Sequence, residues 1–263
     1  MLYPEFAARR ILRILNITAA GDLQYLEEIA YTRGALVQYA HLSGAEARIS
    51  IVGDRAIITI SKTVRNRHRR RFSIAHELGH FELHRKKRPA ASCKSEDLNS
   101  WSSKATPQDP EQEANIFAAA LLLPENFFSP LCDEADPSLD HVSELAAKFD
   151  VSLTATALRY VQYTEATCAV ACCGDGRIQW VQGSSSFKER GFFVDKGRLD
   201  PRSVAASLLK GKTITRPRQV AAEVWLAPGI HQRDAAINEH TWLLHSYGNT
   251  LTLLWIDDEI EHE

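Results

Sequence analysis

The sequence predicts an α+β protein in two parts, a larger, mostly helical one over residues 1–164 and a smaller, sheet-rich one over 165–263. Three observations predict it. Apolar residues recur at helical spacing through most of the first part. A β-patterned hairpin interrupts that run near residue 50. After Thr164 the text changes to strand-like apolar runs separated by Gly-containing turns.

In chain order, a helix is expected over residues 6–15, with Phe6, Ile11, Ile14 and Leu15 assigned to one side. A second is expected over 22–31, where Leu23, Leu26, Ile29 and Ala30 recur at helical spacing. Residues 47–52 and 56–60 read as two strands turning at Gly53-Asp54. The basic run at 65–71 leads into a helix that carries His76-Glu77-Leu78-Gly79-His80. Residues 89–109 are polar and turn-rich and contain Cys93 and Trp101; a connection of that length is often functional or mobile. A strong helix follows over 110–123, with Pro110 suited to its first turn and Leu122-Leu123-Pro124 marking its end. Shorter helices over 142–149 and 153–163 close the first part. In the second part, 167–173 and 178–181 form a hairpin around Gly174-Asp175-Gly176, and a helix covers 203–209. Strands are expected at 220–226, 241–246 and 251–256, the last two joined at Gly248-Asn249.

A chain of 263 residues can bury a substantial core. Its formal charge of −2 gives no global case for nucleic-acid or membrane binding. The apolar stretch at 11–17 is broken by Arg13 and Asn16, so it lacks the uninterrupted segment of a signal peptide. No run approaches the roughly 20 apolar residues of a membrane span. Five cysteines, an odd number in a chain of this size, fit reduced thiols better than a disulfide framework. The expectation is a cytoplasmic protein.

The chemistry concentrates in H-E-x-x-H. Helix positions four apart lie on one face, so His76 and His80 can offer ring nitrogens to one ion. Glu77 is then angled toward a water beside the ion, the position of a general base. Phe72, Ala75, Leu78 and Gly79 make the helix apolar, as a dry, rigid site requires, whereas an accidental match on an exposed helix would hold no metal. A catalytic zinc takes three protein ligands and keeps one position open. Glu111, in the next strong helix, is the favoured third ligand, with Asn115 on the same face to orient a ligating histidine. Glu113 is the competing choice.

These residues resemble the ImmA/IrrE metallopeptidases. The similarity covers the segment from Arg71-Phe72-Ser73-Ile74-Ala75 through His76-Glu77-Leu78-Gly79-His80 to Phe81-Glu82-Leu83-His84. It continues in Glu111-x-x-Ala114-Asn115-x-Phe117-Ala118-Ala119-x-Leu121-Leu122-x-Pro124. The resemblance implies a gluzincin-like fold, with His76, His80 and Glu111 as zinc ligands, Glu77 as base, and residues 142–163 as a small helical appendage. It further implies an endopeptidase that cleaves a helix-turn-helix transcriptional repressor and so induces a stress, mobile-element or phage-defence response. A subset of the family carries a C-terminal GAF-like sensor domain, with which the text after residue 165 is compatible.

Four further features have two readings each. Cys93, in the connection between the ligand helices, is either a loop residue or an inhibitory zinc ligand, an arrangement implied by resemblance to the CapP-type phage-defence branch. His84, four residues after His80, has the spacing of a further ligand, but it lies one turn beyond the site and reads as a structural residue near the helix end. Cys168, Cys172 and Cys173 lack the paired spacing of a second metal site and read as small core residues. The basic clusters at 65–71 and 85–88 are either solvated loops or a groove for single-stranded DNA acting as an activator. The strand at 56–60 is read as an edge on which an extended substrate pairs. Two other functions compete with regulated repressor cleavage. One is a non-catalytic metal-binding sensor, against which an intact Glu77 argues; the other is a broad-specificity cytosolic peptidase.

Overall fold

The computed structural model describes residues 3–85, 90–93, 109–227, 236–245 and 248–257, with 90–93 as backbone alone. The chain divides into two compact units, Met1–Phe127 with Ala146–Ser152, and Phe128–Leu145 with Leu153–Glu263.

The first unit opens with α1, Tyr3–Ile14, which buries Pro4, Ala8, Ile11 and Leu12. Phe6 and Ile14 are exposed, contrary to the expected face. The reason is angular: at 100° per residue, Phe6 lies about 140° around the helix from Ile11, whereas Ala8, Ile11 and Leu12 fall within one stripe. The single helix expected over 22–31 is divided. A 3-10 turn, Ala20–Gln24, precedes α2, Leu26–Thr32, with Tyr25 in a non-helical conformation between them (φ −87, ψ 44). Leu23, Leu26, Ile29 and Ala30 are nevertheless all buried.

The sheet of this unit has the order β1-β3-β2-β4, with β1 at Ala35–Ala40, β2 at Ala47–Val52, β3 at Arg55–Ser61 and β4 at Ala90–Cys93. β2 and β3 form the expected antiparallel hairpin, turning at Gly53, whose φ of 61 suits glycine. Ala47, Ile49, Ile51, Ala56, Ile58 and Ile60 alternate inward as a half-buried sheet requires. β1 runs parallel to β3, so β3 is interior and its ladder is filled on both sides. That corrects the expectation of a substrate edge at 56–60: the edge strands are β1 and β4. β4 also places ordered backbone inside the connection expected at 89–109, and Cys93 stands opposite Ala47 in its ladder with β2.

Two helices complete the centre of the unit. α3, Arg67–His84, packs on the sheet and on α1, α2 and α4, the last spanning Pro110–Leu122. Enclosed on several sides, α3 buries Ser73, Ile74, Ala75, Leu78 and Phe81 as well as His76, His80 and His84.

Further helices follow at Glu125–Cys132 (α5), Leu139–Phe149 (α6) and Leu153–Tyr163 (α7). The second unit is built on an antiparallel five-stranded sheet. Its order is β6-β5-β9-β8-β7, with β5 at Cys168–Gly174, β6 at Arg177–Gly183, β7 at Arg218–Ala221, β8 at Ala236–Leu244 and β9 at Asn249–Trp255. The β5–β6 turn falls on Asp175-Gly176, both at positive φ (52 and 69), the geometry that suits the right-handed twist of a tight hairpin. β5 is buried along its whole length. Ala169, Ala171 and Cys173 face a core shared with Phe187 of α8, Ser185–Glu189, and with Ala205 and Ala206 of α9, Val204–Leu209. Cys168, Cys172 and Cys173 are buried free thiols, held protonated by burial, which fits the core reading. Among the described residues no helix is long and apolar enough to cross a membrane.

Candidate metal centre

The start of α3 is fixed before its histidines are reached. Asn66 caps it, its Oδ1 accepting the Arg69 N–H at 3.0 Å. Arg71 is buried and donates to the carbonyls of Leu23 (2.8 Å), Asp150 (3.1 Å) and Gln24 (3.3 Å). The Asp150 carboxylate lies 3.2 Å away and also pairs with Arg67 at 2.7 Å. Burial lowers the Arg71 pKa, with Asp150 opposing. Arg69 is paired with Glu46 at 2.6 Å, and the Arg70 guanidinium lies over the Tyr39 ring. Much of the basic run at 65–71 is therefore engaged within the unit. The second basic cluster, 85–88, lies outside the described residues beyond Arg85.

α4 is capped by Asp109, which accepts the Glu111 N–H at 3.0 Å, and starts on Pro110. Glu111 thus sits in a first helical turn, where backbone dipoles favour a carboxylate. α3 and α4 pack tightly at Gly79, where a Cβ would stand 3.0 Å from Phe117 and 3.2 Å from the Ala114 Cα. Only a missing side chain permits that approach, and it brings the two sets of polar residues together.

His76 Nε2 and His80 Nε2 are 3.0 Å apart, and Glu111 Oε2 lies 3.3 Å from the first and 3.2 Å from the second. An ion held tetrahedrally at about 2.0 Å by three donors separates those donors by about 3.3 Å, because a tetrahedral edge is about 1.6 times the bond. The triangle fits a small divalent ion. Proton bookkeeping agrees. His76 Nδ1 contacts Asn115 Oδ1 at 2.9 Å; an amide oxygen only accepts, so the proton sits on Nδ1 and Nε2 offers a lone pair. His80 is shifted toward its neutral form by burial, against the pull of Glu111. A group of acceptors converging in this way is stabilised by a cation. Glu77 is fully buried beside His76.

The residues not brought into the triangle are equally informative. Glu113 turns to His84, its Oε2 2.8 Å from His84 Nε2, while His84 Nδ1 contacts His80 Nδ1 at 3.1 Å. The side chain of Cys93 lies outside the described residues. Among the described residues, the group that could hold a metal is His76, His80 and Glu111.

Residues 31–160 match the model of the peptidase M78 family, the IrrE N-terminal-like domain. This stretch is an IrrE N-terminal-like domain. The metal group and the elements from β1 to α6 lie within it, and α7 begins inside it. No curated protein matches the sequence. Among solved structures, the chain is similar to a Mycobacterium tuberculosis transcriptional regulator at 17% identity and a TM-score of 0.58. The match covers 98% of this chain and 88% of that one, so the likeness of fold extends past the IrrE N-terminal-like domain into the five-stranded sheet.

Sequence reasoning missed β1, the tight approach at Gly79 and the bonding of His84 to Glu113. The first had a signal in the apolar Ala35-Leu36-Val37 after Gly34. The other two depend on where α4 crosses α3, which no local pattern encodes.

Proposed function

We propose that this chain is a zinc-dependent endopeptidase that cleaves a helix-turn-helix transcriptional repressor in the cytoplasm, inducing a stress or phage-defence response. The observation that carries the reading is the triangle of His76, His80 and Glu111 with Glu77 buried next to it. Two imidazoles and one carboxylate with a fourth position open are the donor set of a catalytic zinc, whereas a structural zinc is enclosed by four protein ligands. When bound, the ion supplies a Lewis acid that acidifies a water and polarises a peptide carbonyl. The chain's own residues do the rest. Glu77 takes the proton of the attacking water and returns it to the leaving amine. Asn115 holds the His76 ring so that Nε2 faces the site.

The repressor as substrate rests on the family resemblance, and the control of the enzyme is an extension of it. The five-stranded unit would serve as a GAF-like sensor, and Cys93 would hold the enzyme off through the open zinc position. Single-stranded DNA is a weaker candidate for the activator, since Arg67, Arg69 and Arg71 already have acidic or carbonyl partners.

The test is co-expression with the small helix-turn-helix protein encoded nearest to this gene. Wild type should cut it and Glu77→Gln should leave it intact while still binding one zinc; persistent cleavage by Glu77→Gln would sink the mechanism. Cys93→Ala should raise basal cleavage, and unchanged basal cleavage removes the inhibitory role.

A further inference from the structure

His84 and Glu113 lie outside the metal triangle, yet they form a line with it. Glu113 Oε2 is 2.8 Å from His84 Nε2, and His84 Nδ1 is 3.1 Å from His80 Nδ1. His80 Nε2 then faces His76 Nε2 and Glu111 Oε2 at 3.0 and 3.2 Å. His84 is buried, its side chain 7% exposed, and the rings of His80 and His84 are 5.3 Å apart.

With Glu113 ionised and both imidazoles neutral, the state in which His80 can ligate a cation, one proton arrangement satisfies every contact. An ionised carboxylate only accepts, so its partner nitrogen, His84 Nε2, carries the proton. A neutral imidazole has one N–H, so His84 Nδ1 is an acceptor. The close contact between the two Nδ1 atoms then requires the proton on His80 Nδ1. The His80 Nε2 lone pair is left pointing into the triangle. His76 reaches the same state through the neutral amide of Asn115, while His80 reaches it through an imidazole backed by a charged carboxylate.

We propose that His84 and Glu113 are positioning residues for the metal: together they fix the tautomer and ring orientation of His80 so that its Nε2 ligates the ion. The proposal rests on the reading of His76, His80 and Glu111 as a metal site. It gives a role to the two residues that sequence spacing offers as rival ligands. Groups that orient a ligating histidine commonly change metal affinity by on the order of 10- to 100-fold when removed, and His84 and Glu113 act in series, so the loss should appear once.

The experiment is competition titration of the full chain, stripped with a chelator, against Co2+, with the visible absorption of bound Co2+ reporting coordination and circular dichroism reporting the fold. Wild type should bind one Co2+ with the intense absorption of a four-coordinate site. His84→Phe should weaken binding by about 10- to 100-fold. His84→Asn, whose amide oxygen can replace the Nδ1 acceptor, should recover much of the affinity, a rescue that general loosening of the helix would not give. Adding Glu113→Leu to His84→Phe should cause little further loss. Affinity within twofold of wild type in a folded His84→Phe variant overturns the proposal, as does an equal defect in His84→Asn. Should His84→Phe fail to fold, the partly exposed Glu113→Leu decides, and unchanged affinity there overturns it. If wild type binds no Co2+, or His76→Ala binds it equally well, the metal site itself is wrong, a different failure.

Discussion

At the residue scale, the two carboxylates of α4 should behave differently although they are two positions apart. Glu111→Ala removes a corner of the triangle, so stoichiometric zinc should be lost in a metal titration. Glu113→Ala leaves all three donors and should reduce affinity without abolishing binding. Equal loss in both would mean that Glu113 is itself a ligand. His76 and His80 were legible in the sequence because i and i+4 share a face whatever the surroundings. Sequence also offered Glu111 and Glu113 as alternatives, and it could not choose between them by contact. Both are first-turn residues, and only the position of α4 against α3 directs one to His76 and His80 and the other to His84. In the second unit, Glu239 is fully buried and accepts the N–H groups of Val204 and Ala205, the Trp225 indole and the Thr241 hydroxyl. Glu239→Gln would put an amide NH2 against those donors. It should lower stability by about 3 kcal/mol, read from urea unfolding; an unchanged midpoint would show that the cluster relaxes freely.

At the element scale, the centre depends on how closely α3 and α4 approach and how α3 is rotated. A Cβ at position 79 would meet Phe117 at 3.0 Å and the Ala114 Cα at 3.2 Å, so Gly79→Ala requires the Phe117 ring or the α4 backbone to give by a few tenths of an ångström. Overpacking of this kind costs about 1–3 kcal/mol. Because donors sit on both helices, zinc affinity should fall together with the melting temperature. Wild-type affinity in Gly79→Ala would show that the gap is slack. Rotation of α3 is set at Arg71, which is tied to three carbonyls and to Asp150. Asp150→Ala leaves that guanidinium without its counter-charge. Since the Asp150 side chain is 23% exposed, water screens part of the loss, and about 1–3 kcal/mol is expected in chemical denaturation. The elements themselves were largely readable: the β2–β3 hairpin, α3, α4 and α7 all lie where periodicity, caps and turn residues put them. The failures were of arrangement. Residues 56–60 look like a strand, but strand propensity carries no information about which neighbours pair on each side, and β1 fills the side expected to be free.

At the scale of the whole molecule, the first unit gains its centre from segments far apart in sequence, His76 and His80 from α3 and Glu111 from α4. Metal that binds the folded chain and not the unfolded one should therefore stabilise it by about 4 kcal/mol at a thousandfold excess over Kd. Chelation should lower the melting temperature, and hydrogen exchange should lose protection first in α3 and α4; no change in either would place the metal elsewhere. The α+β class and the pairing of His76 with His80 on one helix face were determined by the sequence itself. They follow from local rules, the 3.6- and 2-residue periods, turn chemistry and the i to i+4 face of a helix. The order β1-β3-β2-β4, the contact at Gly79, the choice of Glu111 over Glu113 in the triangle and the alignment of Glu113, His84 and His80 were decided only by the tertiary structure. Each depends on where one element meets another, a distance set by packing between residues that no sequence window contains together.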